Sequence, residues 1–407
     1  MRRSPDYIID KLKSPASRAW ITAWGWESTV DYRIKTSAEI DGFPGITIHD
    51  FDSEVRVTKQ QFLDLKNRVE AHIGHRLNTK PGGSPLLSTI AINQLRQWNP
   101  DLHLPYPAFW GIYPETLRHS VDKEDWGDAL VYGIPSDSIQ GTLCIENHVM
   151  SSKKMFSVFK GRQLNRNYLI LLRRSIEKIS TDHAQNNIVF GLGGLNKSHP
   201  EKLRTLLSVF RRKCKGNHIL YIATNSFLPI LSRARYDDLM QDYYEVLAQA
   251  DFVSASSEEI CQLGDWAGFD TKRGNLYAIM QKLALPGFTI CHHRCGSAFS
   301  PGSRIRLTGD GKDRVRDVLD LATRSVMWYL KDGHSRLEQI PDVTDDMISA
   351  ELYEETFGIQ ATDRHAAPAP SIPHGESSSY LTGLGSRFDG YLSALLPAVW
   401  PDTRRSP

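Results

Sequence analysis

The chain has 407 residues, of which 40% are hydrophobic and 24% charged, with 49 Lys and Arg against 47 Asp and Glu. This length and composition suit an ordinary globular protein of one large domain with an insertion, or of two domains. The near balance of charge excludes a global basic field, so neither nucleic acid nor an anionic membrane surface is an expected partner. Five cysteines, an odd number at irregular spacing, argue against a disulfide framework and for a reducing, cytoplasmic setting. No apolar run approaches the ~18 residues that span a bilayer. Charges interrupt the start MRRSPDYIIDKLK, which reads as a mature N-terminus rather than a signal peptide.

In chain order, apolar β-type runs alternate with helical patterns, which predicts an α/β domain with a doubly wound, mainly parallel sheet. Residues 19–26 form the first candidate strand. Residues 85–98, after Gly82-Gly83, have the apolar spacing of a helix, and 108–113 follow as a strand. Short apolar runs at 188–194, 218–224, 251–255 and 287–291 are further strands, with helical patterns at 200–213, 235–249, 257–264 and 273–283. The cluster Arg211-Arg212-Lys213-Cys214-Lys215 reads as the solvated end of the 200–213 helix.

Residues 34–60 and 125–158 differ in alternating polar and apolar positions, such as Thr47, His49, Phe51 and Val55, which predicts a small antiparallel sheet over one edge of the main domain. The expected division is a main domain of 1–33 and 78–360, with lid-like segments 34–77 and 125–158 inserted in it. Residues 361–380, rich in Ala, Pro and Ser, read as a linker or disordered segment. In the tail, 381–407, the apolar piece 391–400 is expected to dock back on the body.

The segment Thr308-Gly309-Asp310-Gly311-Lys312-Asp313 opens onto the amphipathic run 315–330. A glycine turn before a helix start points backbone N–H groups outward with the positive end of the helix dipole, and so suits an anion. An acidic residue there can take a proton from a hydroxyl that attacks a phosphate. Small Gly/Asp turns are also common caps. Cys291-His292-His293-Arg294-Cys295 packs four ligand types together, but neighbouring strand side chains face opposite sides and no second pair follows, so zinc is not expected. Gly191-Leu192-Gly193-Gly194 lacks the spacing of a dinucleotide site. Gly311-Lys312 is not a Walker A loop, because Asp313 stands where Ser or Thr should.

Gly25 to Asp31 (GWESTVD), Pro81-Gly82-Gly83-Ser84, Ile222-Ala223-Thr224-Asn225, Ala250 to Ile260 (ADFVSASSEEI), Phe288 to Arg294 (FTICHHR) and Thr308 to Asp313 follow one another in this order. The order resembles the ribokinase-like superfamily of sugar and nucleoside kinases, and more particularly its ADP-dependent glucokinase and phosphofructokinase branch. The resemblance runs from about Trp20 to about Lys331. It implies that Asp31, Gly82 and Gly83 hold the acceptor, that Asn225 and His293 lie near the nucleotide, and that Glu259 supports magnesium through water. It also implies that Gly309 and Gly311 form an anion hole beside the catalytic Asp. Three departures stand out: Ser84 and Pro85 where an Asn usually follows the glycines, Ser256 in place of an Asn, and Lys312 in place of the catalytic Asp, which leaves Asp313 or Asp310 as the base.

The implied activity is phosphoryl transfer from ADP or ATP, with Mg2+, to a hydroxyl of a sugar-like or nucleoside-like small molecule. The alternative is a catalytically silent relative that binds a sugar or nucleotide and acts through a partner. In the superfamily an exposed lid sheet often pairs with another subunit, so the resemblance also suggests an oligomer. Plainer roles stand beside each residue: Asp31 capping a loop, Gly82-Gly83 a simple turn, Ser256 and Ser257 helix caps, and Glu259 complementing a helix dipole.

Overall fold

The computed structural model describes residues 6–14, 20–26, 28–36, 54–115, 117, 127–136, 141–147, 152–158, 166–193, 200–214, 218–224, 233–272, 276–283, 288–293, 296–302, 310–340, 350–363, 365–369 and 383–400. A short amphipathic helix, α1 (Asp6–Lys13), buries Ile8, Ile9 and Leu12. It precedes β1 (Trp20–Trp26), in which all 7 residues are buried. A strand buried on both faces belongs inside a parallel sheet covered by helices on each side.

The chain then makes β2 (Thr29–Thr36), β3 (Glu54–Arg56), α2 (Lys59–Ile73) and β4 (Asn78–Gly82), and returns through α3 (Ser84–Trp98) to β5 (Tyr106–Phe109). Short strands β6 (Ile112–Pro114), β7 (Leu130–Val131) and β8 (Ile134–Ser136) lead to β9 (Gly141–Asn147) and β10 (Ser152–Val158). Next come α4 (Arg166–Asp182), β11 (Asn187–Gly193), α5 (Pro200–Lys213), β12 (His218–Ala223), α6 (Arg233–Leu247) and β13 (Phe252–Ser256). They are followed by α7 (Ser257–Trp266), α8 (Leu276–Leu283), β14 (Phe288–His293), β15 (Gly296–Pro301) and α9 (Asp310–Asp332). The last elements are α10 (Ala350–Phe357), β16 (Ala366–Pro368) and α11 (Leu384–Leu395).

The main sheet has 9 strands in the order β16-β15-β14-β13-β12-β11-β1-β5-β7. Every pairing from β14 to β7 is parallel, and β15 and β16 close the far edge antiparallel. One face carries Ile21, Ala23, Phe190, Leu220 and Val253 against α4 to α8. The other carries Trp20, Trp24, Tyr221 and Phe252 against α1, α3, α9 and α11. A second sheet, ordered β3-β10-β9-β2-β4, stands apart from the first. Its outer face is closed by Phe62, Leu65 and Val69 of α2 against Leu143, Ile145 and Phe156.

The predicted α/β layout holds, with differences that have physical reasons. The lid sheet is mixed rather than antiparallel, because β2 runs parallel to β9, and β10 to β3. Alternation reveals which face is apolar but not which way a strand runs. The lid begins inside the expected main segment, since β2 starts at Thr29 and β4 spans Asn78–Gly82, while β7 of the 125–158 segment joins the main sheet. The expected strand 108–113 divides into β5 and β6, because Trp26 crowds the bend between them: a Cβ on Gly111 would stand 2.4 Å from its carbonyl oxygen.

Of the expected linker, residues 361–363 and 365–369 are described, with 366–368 forming β16 of the main sheet, and 370–380 lie outside the described residues. The small residues Ala366 and Ala367 are buried, and β16 pairs with β15 through backbone bonds, which composition does not count. The apolar tail docks as expected, in a longer helix: Phe388, Tyr391, Leu392 and Leu395 of α11 are buried in the core beside Trp24 and Val318. Among the described residues no helix is long and apolar enough to cross a membrane. Leu392→Ala is expected to cost about 2–5 kcal/mol, as for a core leucine, and a urea midpoint that does not move would show that α11 is an appendage.

Candidate active site

At the edge of the lid sheet β2 lies against β4, and β4 leads directly into α3 of the body. Thr29 stands opposite Gly82 and Asp31 opposite Lys80 in this antiparallel register. Asp31 is therefore on a lid strand, and it is only 3% exposed. Its Oδ1 accepts from the Thr29 hydroxyl at 3.1 Å and its Oδ2 from Arg33 Nη2 at 2.9 Å. The carboxylate leans on the backbone of Gly82, where a Cβ would sit 1.9 Å from Asp31 Oδ1. Only glycine permits that approach.

Gly83 follows at φ 83°, a left-handed conformation suited to glycine, and it caps α3 without a side-chain hydrogen bond. The start of α3 therefore presents the positive end of its dipole without a capping side chain over it. A Cβ on Gly193, the last residue of β11, would stand 3.0 Å from Ser84 Cβ, which sets this helix start at the carboxyl ends of the central parallel strands. In open α/β sheets that end is where ligands bind. The chain leaves β1 for the lid through Trp26, which at φ 111° has the one positive φ among the described non-glycine residues. Such a conformation costs about 1–3 kcal/mol and persists only where packing imposes it; Trp26 is fully buried. Asp31, Gly82 and Gly83, proposed from sequence as one group, are thus neighbours.

Glu259 belongs to a second cluster. Ser256 caps α7 by accepting from the Glu259 amide at 3.3 Å, and Glu259 Oε2 accepts from the Ser256 amide at 2.8 Å, a complete capping box. The Thr224 hydroxyl, at the end of β12, donates to the same Oε2 at 2.7 Å. Burial pushes the Glu259 carboxyl up from its ordinary pKa, against the pull of these hydrogen bonds. A hydrated magnesium ion calls for an ionised carboxylate open to water. A buried carboxyl tied to a helix start does not fit that role, and among the described residues no group of three or more His, Cys, Asp or Glu is placed to hold a metal.

Beside Glu259, the Tyr221 hydroxyl donates to Asp389 Oδ1 at 2.9 Å, joining β12 to α11. Burial, with the nearby Glu259 charge adding to it, raises the Asp389 pKa to about 7. Tyr221 is held well above its ordinary value, by burial first and then by Asp389. Sequence reasoning missed Thr224, Tyr221 and Asp389. The available signal was a hydroxyl or carboxylate inside an otherwise apolar run, and that pattern does not say which of them meet.

At the expected anion hole, helix α9 begins at Asp310, so Asp310, Gly311, Lys312 and Asp313 form its first turn. Asp313 is half-buried. The next turns bury Val315, Val318 and Leu319 on the sheet face that also carries α11. Gly309 and Asn225 lie outside the described residues, and His293 is the last residue of β14.

Two predictions follow from these contacts. Gly82→Ala should cost about 1–3 kcal/mol by overpacking and should cost less in an Asp31→Ala background; equal costs in both backgrounds would place Asp31 elsewhere. Asp389 keeps a proton in the folded chain that the unfolded chain, at its ordinary 3.8, releases. Its stabilising effect is complete below that ordinary value and is lost as pH rises through about 7. Urea unfolding should show wild type losing a few kcal/mol between about pH 4 and pH 8. Asp389→Asn should flatten that slope, and an unaltered slope would assign it to other groups.

No family model matches the sequence, and no curated protein matches it. Solved structures do match. An ADP-dependent kinase in complex with fructose-6-phosphate and ADPβS is similar at TM-score 0.66 and 11% identity, over 100% of both chains. The last common ancestor of ADP-dependent phosphofructokinases from Methanosarcinales is similar at TM-score 0.59 and 10% identity, over 99% of both chains. A phosphofructokinase from Pyrococcus horikoshii OT3 with AMP is similar at TM-score 0.58 and 10% identity, over 92% of this chain and 97% of that one. A parallel sheet with helices on both faces, a separate lid sheet entered from β1, and these whole-length superpositions together establish that the chain has the ribokinase-like fold.

Proposed function

We propose that the protein is a phosphotransferase that moves a phosphoryl group from ADP or ATP to a hydroxyl of a small sugar-like or nucleoside-like molecule. The observation that carries the proposal is the Asp31 carboxylate, held by Thr29 and Arg33 and laid against Gly82 beside the uncapped start of α3. A fixed carboxylate next to the positive end of a helix suits an acceptor that offers both hydroxyl donors and an electron-rich oxygen. The full-length likeness to a kinase solved with fructose-6-phosphate and ADPβS supports the same reading.

In this reading the acceptor lies between the lid and the body, with one hydroxyl on Asp31. A second hydroxyl attacks the terminal phosphorus in line: the new O–P bond forms, the bond to the bridging oxygen of the nucleotide breaks, and AMP or ADP leaves. Asp313 or Asp310 takes the hydroxyl proton, and the backbone amides of Gly309 and Gly311 stabilise charge on the phosphoryl oxygens. Lys312 adds a positive contact, while Asn225 and His293 flank the nucleotide. A lid closed over the acceptor excludes the water that would otherwise compete for the phosphoryl group. Magnesium carried by the nucleotide phosphates would neutralise their charge, and no residue of this chain is assigned to hold it.

The second reading is a silent binding protein of cytoplasmic setting that acts through a partner. It is favoured by Lys312 and by the use of Glu259 as a helix cap. Melting temperature with ADP, ATP and AMP, each with and without magnesium, separates the two when followed by a product assay. A nucleotide at a hundred times its dissociation constant should add about 2.7 kcal/mol. Turnover with one donor, reduced about 100-fold or more by Asp313→Asn or Asp310→Asn, is the expected result. Binding without turnover would support the silent protein, and turnover intact in both variants would show that the base lies elsewhere.

A further inference from the structure

Strand alternation places Asp31 and Arg33 of β2 on one face of the lid sheet, and the parallel register with β9 puts Asp31 beside Thr142 and Arg33 beside Cys144. Thr142, Cys144 and Glu146 alternate along β9 on that face. The face is buried: Arg33 is 8% exposed and Glu146 0%. Here one guanidinium serves two carboxylates, Asp31 by direct contact at 2.9 Å and Glu146 through its charge. The opposite face of the sheet is the apolar one under α2, so this charged face is not an exposed surface of the lid. It looks toward the body, since a Cβ on Gly383, at the start of α11, would stand 3.8 Å from Arg33 Nη2.

A carboxylate left to itself rotates and can release its contact with Gly82. With Oδ1 held by Thr29 and Oδ2 by Arg33, it has one orientation. We propose that Arg33 is the positioning residue of the acceptor site: it fixes the Asp31 carboxylate against Gly82 so that an acceptor hydroxyl meets it in a single geometry. This inference rests on the phosphotransferase reading above. Arg33 acts through Asp31 and is assigned no contact with the reacting phosphoryl group.

The test uses the full chain with fructose 6-phosphate, glucose and adenosine as acceptor probes. Arg33→Met alone removes the guanidinium that both buried carboxylates face and is expected to fold poorly. Arg33→Met combined with Glu146→Gln restores the net charge of the cluster and isolates the contact with Asp31. The double variant should raise the KM for the acceptor about tenfold or more while the KM for the nucleotide stays unchanged. Arg33→Lys, which keeps a charge but not the planar fork, should fall between it and wild type. An active wild type whose acceptor KM is unmoved in the double variant overturns the positioning role and leaves the kinase reading intact. A wild type that neither turns over nor binds any of the three acceptors, by product assay and calorimetry, overturns both.

Discussion

Parallel strands bury both faces of their sheet, so this molecule needs helices on each side before any site can exist. On one side α4 to α8 supply the cover in sequence order, with α4, α5, α6 and α8 each leading into a strand of the same sheet and α7 into α8. On the other side the cover comes from distant parts of the chain: α1 from the start, α3 from between lid and sheet, and α9 and α11 from the end. The last helix is therefore structural, and it brings a buried carboxyl group with it. Asp389 reaches the sheet only because Gly390 packs tightly on α3, where a Cβ would stand 2.7 Å from the Ser88 carbonyl oxygen. Burial then makes that carboxyl hold its proton near neutrality.

Covering both faces leaves the strand ends as the open part of the sheet, and the lid is entered from one of them. Trp26 and Gly83 both take positive φ at the two crossings, outward from β1 and back into α3. Between these crossings β2 and β4 pair, which is why residues more than fifty positions apart in sequence, Asp31 and Gly82, touch. The candidate acceptor site is thus a by-product of how the chain leaves and re-enters the sheet. Its charged groups are buried together, because Asp31, Arg33 and Glu146 all lie on one lid face.

The sequence made most of the α/β body legible, since runs such as 218–224 and 200–213 carry a strong period and their bounds agree with β12 and α5 within a residue. The lid was legible as a different kind of segment but not in its strand directions, which depend on pairing across long separations. The apolar pattern of residues 59–73 was masked by the polar face of α2, of which only Phe62, Leu65 and Val69 are buried. Residues 361–369 misled because alanines contribute little apolar area, yet pair well as backbone against β15. Glu259 shows a different limit: the same Ser-x-x-Glu spacing serves a capping box and a metal-supporting motif, and only burial and partners separate the two.

The start of α9 changes how the apparent loss of the catalytic Asp is weighed. On a helix a one-residue step from 312 to 313 turns the position by about 100°, and because α9 begins at Asp310 that turn separates Asp313 from position 312. Positions 310 and 313, three apart, are neighbours at the same helix start. In the proposed reaction the choice of proton acceptor therefore falls between Asp310 and Asp313, two positions that one helix turn brings together.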